Sequence, residues 1–336
     1  DATFFSASRV KHIECQILDK FSYPFSAYAA IVFPAAGFSA PPSRAYRTRG
    51  LKIQVPSNYS TREETGSNAV YSGAWDGTFK TVYCNNPAWV FYDIATNKRY
   101  GLGKFIDSAQ VNKYTLYTIS RYCDDLVSNG LGGLEPRFTC NVYLTAGEEA
   151  YKVLRDLATV FRGLLYWMDG QLTAVQDSPK EPIYTFSQGN VIDGFFSYEY
   201  TGSLARYNSI NVTWNDPQQF YQQQIVTVND INDIVKRNKV ISMDTLAFGC
   251  TSESQAIRVG QWNLITSQRE TEVIKFQTSL NAGFLKPGEI INIQDQHLNA
   301  VQTSGRLHSA ANTTSVVLDR NVTLATGSSY NLHLVF

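Results

Sequence analysis

The stretch from Tyr71 to Lys104, YSGAWDGTFKTVYCNNPAWVFYDIATNKRYGLGK, constrains the fold more than any other. It reads as an aromatic strand and turn, a cysteine, and a short helix with a sharply marked start. Asn86 is a good N-cap, and Pro87 stands at the first helical position, where its missing N–H costs nothing and its fixed φ suits the helix. Ala88, Trp89, Val90, Phe91, Ile94 and Ala95 then run apolar nearly all round, which predicts a helix buried on several sides. Nothing in the stretch is catalytic by type. Tyr100-Gly101-Leu102-Gly103-Lys104 has a superficial likeness to a phosphate loop, but it lacks the G-x-x-x-x-G-K-[ST] spacing, so a helix stop and turn is expected there.

The 336 residues suffice for two or three domains. Hydrophobic residues make up 43% and charged residues 17%, which favours a packed core over disorder. The 20 tyrosines and 19 phenylalanines are expected first as strand filler and second as contact surface. With 29 basic and 29 acidic residues the chain is formally neutral, which argues against gripping nucleic acid, since that affinity comes from neutralising phosphates. A neutral surface is nevertheless one past which DNA can slide. Cys15, Cys84, Cys123, Cys140 and Cys250 are scattered, odd in number and free of C-x-x-C, so buried thiols of a chain folded in a reducing cytoplasm are expected. No apolar run approaches the roughly 20 residues of a membrane span. The chain opens on DATFFSAS and closes on a strand pattern of Tyr330, Leu332, Leu334 and Phe336, which suggests part of a longer protein.

Residues 1–83 read as all-β, with alternation at Ile13, Cys15 and Ile17 and at Leu51, Ile53 and Val55. Arg44, Arg47 and Arg49 between and beside these strands are expected to be solvated rather than a phosphate contact. Residues 84–162 turn helical. A helix over 108–127 behind an Asp107 cap would use Leu116, Ile119, Cys123, Leu126 and Val127 and stop at Asn129-Gly130. Asp124 and Asp125 in its last turn read as a solvated helix end. The next helix carries a Thr145/Glu148 capping box, an apolar stripe from Ala150 to Phe161, and a stop at Gly163. Asp169-Gly170 then signals a type I′ hairpin. Residues 163–336 read as β-rich with one helix at about 250–270. Strands are expected at Phe195–Tyr200, at Ser209–Trp214 with Ile210, Val212 and Trp214 on one face, and at 273–278, 290–293 and 316–318. QQFYQQQ reads as a polar edge. In the helix capped by Thr251 or Ser252, Gln255, Arg258 and Arg269 are placed to reach a neighbour, although exposed polar residues need no partner. The fold class is therefore α+β, with β-rich parts flanking a helical module.

His12, His297, His308 and His333 are dispersed, and no protease, hydrolase-elbow or metalloprotease motif is present. No catalytic, cofactor-binding or metal-ligating residue is nominated. A carboxylate pair of glycosidase type would exist only in three dimensions.

SGAWDGTFK followed by NNPAWVFYDIATNKRYGLGK resembles the host-specificity protein J family, the central tail hub of long-tailed bacteriophages. The resemblance continues through YTISRYCDDLVSNGLGGLEPRFTCNVYLT, WMDGQLTAVQDSP, YNSINVTWNDP and MDTLAFGCTSESQAIRVGQW. One departure is STREETGSN at 60–68, which is longer than the turn expected there. The resemblance implies a structural virion protein at the tail tip, assembled in the host cytoplasm as a homotrimer that continues the tail tube and passes phage DNA without binding it specifically. It implies other tail-tip and tail-tube proteins as partners, and a host receptor met only through a distal C-terminal part outside these residues. No cofactor is implied. The rival readings are a tail-borne cell-wall or polysaccharide hydrolase and a glycan-binding module working through exposed aromatics.

Overall fold

The computed structural model describes residues 48–144, 149–202 and 206–295, and then positions 297, 307, 308, 312, 314–319, 321, 322, 326, 327, 330 and 332. The chain divides into two compact units, Asp1–Arg47 and Thr48–Phe336, and every described residue belongs to the second. The predicted strand at Ile13–Ile17, Arg44, Arg47 and the Thr145/Glu148 capping box lie outside the described residues, as does most of the predicted C-terminal strand.

Strand β1 (Lys52–Pro56) alternates, and it buries Ile53 and Val55 while Leu51 just before it stays exposed. After β2 (Tyr59–Ser60) comes a four-residue helix, α1 (Arg62–Thr65), where the sequence predicts only β-structure. The reason is local. Thr61 Oγ1 accepts the Glu64 N–H at 3.3 Å and Glu64 Oε2 accepts the Thr61 N–H at 2.8 Å, a complete capping box inside STREETGSN. Strand β3 (Val70–Tyr71) pairs with β2, and β4 (Phe79–Tyr83) pairs antiparallel with β1, Lys52 opposite Tyr83.

Helix α2 (Pro87–Thr96) starts as predicted, with Asn86 Oδ1 accepting the Ala88 N–H at 3.1 Å. Its Trp89, Phe91, Tyr92 and Ala95 are all buried. The glycines that follow are dictated by close backbone approach. A Cβ at Gly101 would lie 2.2 Å from the Ile94 carbonyl oxygen, and one at Gly103 would lie 2.0 Å from that of Thr96.

The long helix predicted over 108–127 is three elements instead. Asp107 caps a 3-10 turn, Ser108–Gln110; Val111 is extended and bridges Leu172; Asn112 then caps α3 (Lys113–Asp124). Leu126 and Val127 belong to β5 (Leu126–Ser128), which pairs with β6 (Leu134–Pro136), so Asn129-Gly130 and GLGG turn a hairpin rather than end a helix. The Val111 bridge interrupts the helical hydrogen bonding, and residues 126–128 find a partner strand that periodicity alone cannot reveal.

Helix α4 (Ala150–Val160) feeds the hairpin of β7 (Gly163–Met168) and β8 (Gln171–Gln176). Asp169 and Gly170 have φ of 52° and 72°, the left-handed pair that a type I′ turn requires. One apolar core joins Ile53 and Val55 to Trp89, Phe91, Leu116, Ile119, Leu154, Leu157 and Phe161, and onward to Leu165, Leu172 and Ala174.

Strands β9 (Tyr184–Ser187) and β10 (Val191–Tyr200) precede a long hairpin of β11 (Ser209–Asp216) and β12 (Gln222–Asn229). Helix α5 (Ile231–Arg237), which sequence reading leaves unassigned, carries the chain to β13 (Ser242–Leu246), parallel to β11 on its other side. Ile210, Val212 and Trp214 are buried on one face of β11 beneath α6 (Glu253–Arg269). A glycine is needed at Gly260, whose Cβ would stand 2.7 Å from Val228 Cγ2. Strands β14 (Glu272–Thr278) and β15 (Ile291–Gln294) complete a third core with β9 and β10 around Phe186, Val191 and Phe196. The predicted strand at 316–318 is a single bridge, Leu318 to Leu307. The architecture is α+β. Among the described residues the sheets have two or three strands and none closes on itself.

Candidate functional site

Cys84, Cys123, Cys140 and Cys250 are free and buried. Burial pushes the thiols of Cys84 and Cys140 up to about 12 and that of Cys250 to about 11, and it raises Cys123 as well. Such thiols stay protonated and poorly nucleophilic. Cys15 lies outside the described residues. Among the described residues no three His, Cys, Asp or Glu side chains gather closely enough to hold a metal ion, and no helix is long and apolar enough to cross a membrane.

Asp124 is not the solvated helix end that its position suggests. Its Oδ2 accepts the Tyr71 hydroxyl at 2.7 Å and Asn86 Nδ2 at 2.8 Å. Asn86 also donates to the Ser120 carbonyl at 2.9 Å while its own Oδ1 caps α2, so one buried amide ties α2 to α3. The Tyr71 ring packs on Tyr59 and Tyr117, with centroids 4.8 and 5.4 Å away. Desolvation raises the Asp124 carboxyl, and hydrogen bonds from Tyr71, Asn86 and Tyr59 work against that rise. Asp125 follows the expectation more closely: it is exposed and 3.7 Å from Arg137.

A second polar cluster binds the N-terminal part of α6 to β6 and the segment that follows it. Arg258 Nη1 lies 2.6 Å from Glu135 Oε1, Ser254 donates to the same oxygen, and Ser252 donates to Oε2 at 2.9 Å. Gln255 is buried; its Oε1 accepts the Thr139 N–H at 3.0 Å and its Nε2 donates to the Thr139 carbonyl at 3.0 Å. Asn141 donates through its amide to Thr251 at 2.9 Å, and its backbone N–H reaches the Gly249 carbonyl at 2.8 Å. Gln255 and Arg258 thus reach a neighbouring segment as internal fasteners rather than standing exposed without a partner. A helix wheel marks them as polar but cannot show that 135–141 runs alongside. Burial pushes the Glu135 carboxyl up, yet the bonds from Ser254, Arg258 and Ser252 outweigh it and hold the group below the ordinary range.

The aromatics divide between filler and surface. Trp75, Phe79, Trp89, Tyr92 and Tyr117 form a connected cluster within Tyr71–Lys104 and the facing helix, including a Phe79–Tyr92 stack at 4.9 Å. Phe105, Tyr143, Phe195 and Phe220 stand exposed instead. Among the described residues β12 and β13 each pair only with β11, so both outer edges of that three-stranded sheet lack a described partner strand. Arg49 is exposed and 3.0 Å from Glu63, as expected of a solvated position. The two polar clusters thus fasten elements together beneath a surface that carries exposed aromatics.

Comparison with known proteins points the same way. Residues 149–308 match the family described as "Putative phage tail protein". The chain is 35% identical over 334 residues, 97% of its length, to the tip attachment protein J of Escherichia phage SECphi4. It is 38% identical over 294 residues, 86% of its length, to the protein of the same name from Escherichia phage SECphi27. It spans only 29% and 24% of those relatives' lengths. A 43 kDa tail protein of prophage MuSo2 from Shewanella oneidensis aligns over 47% of this chain and 46% of its own, at 15% identity and a TM-score of 0.31. The sequence words quoted above and the near-complete alignment to these relatives lead to one conclusion: the chain is similar, over nearly its whole length, to a part of the tip attachment protein J of phage tails.

Proposed function

We propose that the chain is part of the central hub of a long non-contractile phage tail tip, assembling as a homotrimer that continues the tail tube and lets DNA pass. The observation that carries this reading is the 35% identity to a tip attachment protein across 97% of the chain. Physical features support it. Equal numbers of basic and acidic residues suit a wall along which DNA moves without sticking. The edges of the β11 sheet and the exposed aromatics are surfaces that ring closure would cover. In this reading the chain works by assembly and conformational opening rather than bond-making chemistry. Receptor contact belongs to other parts of a longer parent protein, and the remaining partners are tail-tip and tail-tube proteins.

A reconstruction of the tail tip in intact particles tests the proposal. Three copies encircling the axis beneath the tube are expected. A position off the axis would remove the conduit role and bring glycan binding or hydrolysis forward.

A further inference from the structure

Just past the end of α4 an arginine stands where a glycine is usual. Arg162 lies one position beyond the Phe161 cap with φ of 56°, a left-handed conformation that strains a residue with a side chain. Its guanidinium carbon is 5.3 Å from the Phe138 ring centroid and 5.0 Å from that of Trp262. Trp262 and Arg258 are four residues apart on α6, and Arg258 Nη2 donates to the Arg137 carbonyl at 3.0 Å. Three arginines therefore converge where α6 and residues 135–138 meet the turn after α4. Burial lowers the Arg162 guanidinium from its ordinary range and the charges of Arg137 and Arg258 lower it further, while Tyr122 and Asp177 act the other way.

Two of the three cations have answering groups. Arg258 meets Glu135 at 2.6 Å, and Arg137 has Asp125 at 3.7 Å and the Tyr122 ring at 4.2 Å. Among the described residues the Arg162 guanidinium makes no hydrogen bond and no ion pair. Exposed Asp177 donates its backbone N–H to the Arg162 carbonyl at 2.9 Å, but its carboxylate forms no ion pair with the guanidinium. The Arg162 Nε is buried without an acceptor, as are those of Arg137 and Arg258, whereas the Nη edge of Arg162 stays open to solvent. A half-buried charge is costly to leave unmatched, so the fold presents one guanidinium fork in need of an anion.

We propose that Arg162 receives the carboxylate of an acidic side chain from another polypeptide of the phage tail, an inference that rests on the assembly proposed above but not on its place at the axis. The two rings hold the guanidinium plane, so little freedom is left to lose when its Nη edge is engaged, and a planar fork matches a carboxylate in bidentate fashion. Arginine and tryptophan are also the residues enriched where interfaces bind most strongly. A phosphate backbone fits less well. Glu135, Asp125 and Asp177 surround the three arginines and leave one unmatched fork rather than a track of positive charge. A small free acid needs an enclosing pocket, and neither open depression, at Arg49–Tyr83 or at Thr278–Gly283, includes these residues.

A reconstruction of the tail tip in intact particles reads this contact directly. An Asp or Glu carboxylate of a second copy or of another tail protein is expected at about 2.7–2.9 Å from the Arg162 Nη atoms. Arg162 facing water or DNA, or paired with Asp177 of its own chain, overturns the proposal. Variants separate the contact from a purely internal role. Arg162→Lys keeps a cation over the rings but lacks the fork. It should melt with the parent, while the yield of tails that carry the full-length protein falls about ten-fold. An undiminished yield, or a lower melting temperature, overturns the proposal. Asp177→Asn should leave melting and yield unchanged, and a fall in its melting temperature would show that Asp177 already answers Arg162. An off-axis chain with the carboxylate in place removes only the hub reading; a central ring with Arg162 facing water removes only this contact.

Discussion

Arg258 Nη1 and Glu135 Oε1, 123 residues apart in the chain, meet at 2.6 Å. Each side chain keeps about a fifth of its surface in solvent. The pair closes a group of bonds that also includes Ser252, Ser254 and Gln255, so α6 cannot leave the 135–141 segment without exposing several polar groups at once. Arg258→Met keeps the aliphatic stem but leaves Glu135 without its cation. It should cost about 1–3 kcal/mol in denaturant unfolding. Glu135 has a lowered folded pKa, so its contribution is present above its ordinary 4.5 and lost as pH falls through the folded value. Glu135→Gln should remove that acid-side loss; an unchanged acid limb would show that the carboxylate is not stabilised as described.

Asp124 has the opposite sign. Its folded pKa is raised by desolvation, so its contribution is full below 3.8 and is lost as pH rises through the folded value. Tyr71→Phe removes one of the bonds that lower the group. The variant should lose about 1–3 kcal/mol and push the carboxyl higher still, visible as an upward shift in its NMR titration. A titration that does not move would mean the Tyr71 hydroxyl bonds elsewhere.

Gly103→Ala should be severe for its size. The new methyl would sit 2.0 Å from a backbone oxygen of Thr96, which cannot swing away as a side chain can. A loss of about 1–3 kcal/mol or more is expected, measured as a fall in melting temperature. A neutral result would show that the turn after α2 is free to reopen.

Gly260→Ala sets two effects against each other. Helix propensity gains about 1 kcal/mol, whereas overpacking against Val228 and Val212 costs about 1–3 kcal/mol. Net destabilisation is expected, and adding Val228→Ala should recover part of it, with the two changes non-additive in a double-mutant cycle. Simple additivity would place the contact elsewhere.

Local sequence determined a good deal. The Asn86-Pro87 start of α2, the turn at Gly101 and Gly103, the Asp169-Gly170 hairpin, the alternation of Ile210, Val212 and Trp214 and the Ser252 cap of α6 each depend on neighbours a few residues away. The Thr61–Glu64 capping box was equally local and readable, yet its helix is too short for any periodicity to show. The family likeness, too, was legible, because word matches such as SGAWDGTFK need no structure. Tertiary structure alone decided the rest. Periodicity extends α3 through Val127, but a partner strand at 134–136 claims those residues for a sheet. Composition makes Asp124, Gln255 and Arg258 surface residues, and only contacts 38 to 123 residues distant turn them into fasteners, Gln255 fully buried and the other two partly so. The physical reason is the same in each case. Turns and caps satisfy their own hydrogen bonds within one or two turns of chain, whereas the cost of burying a charge or an amide is settled by whichever distant donor the fold brings beside it.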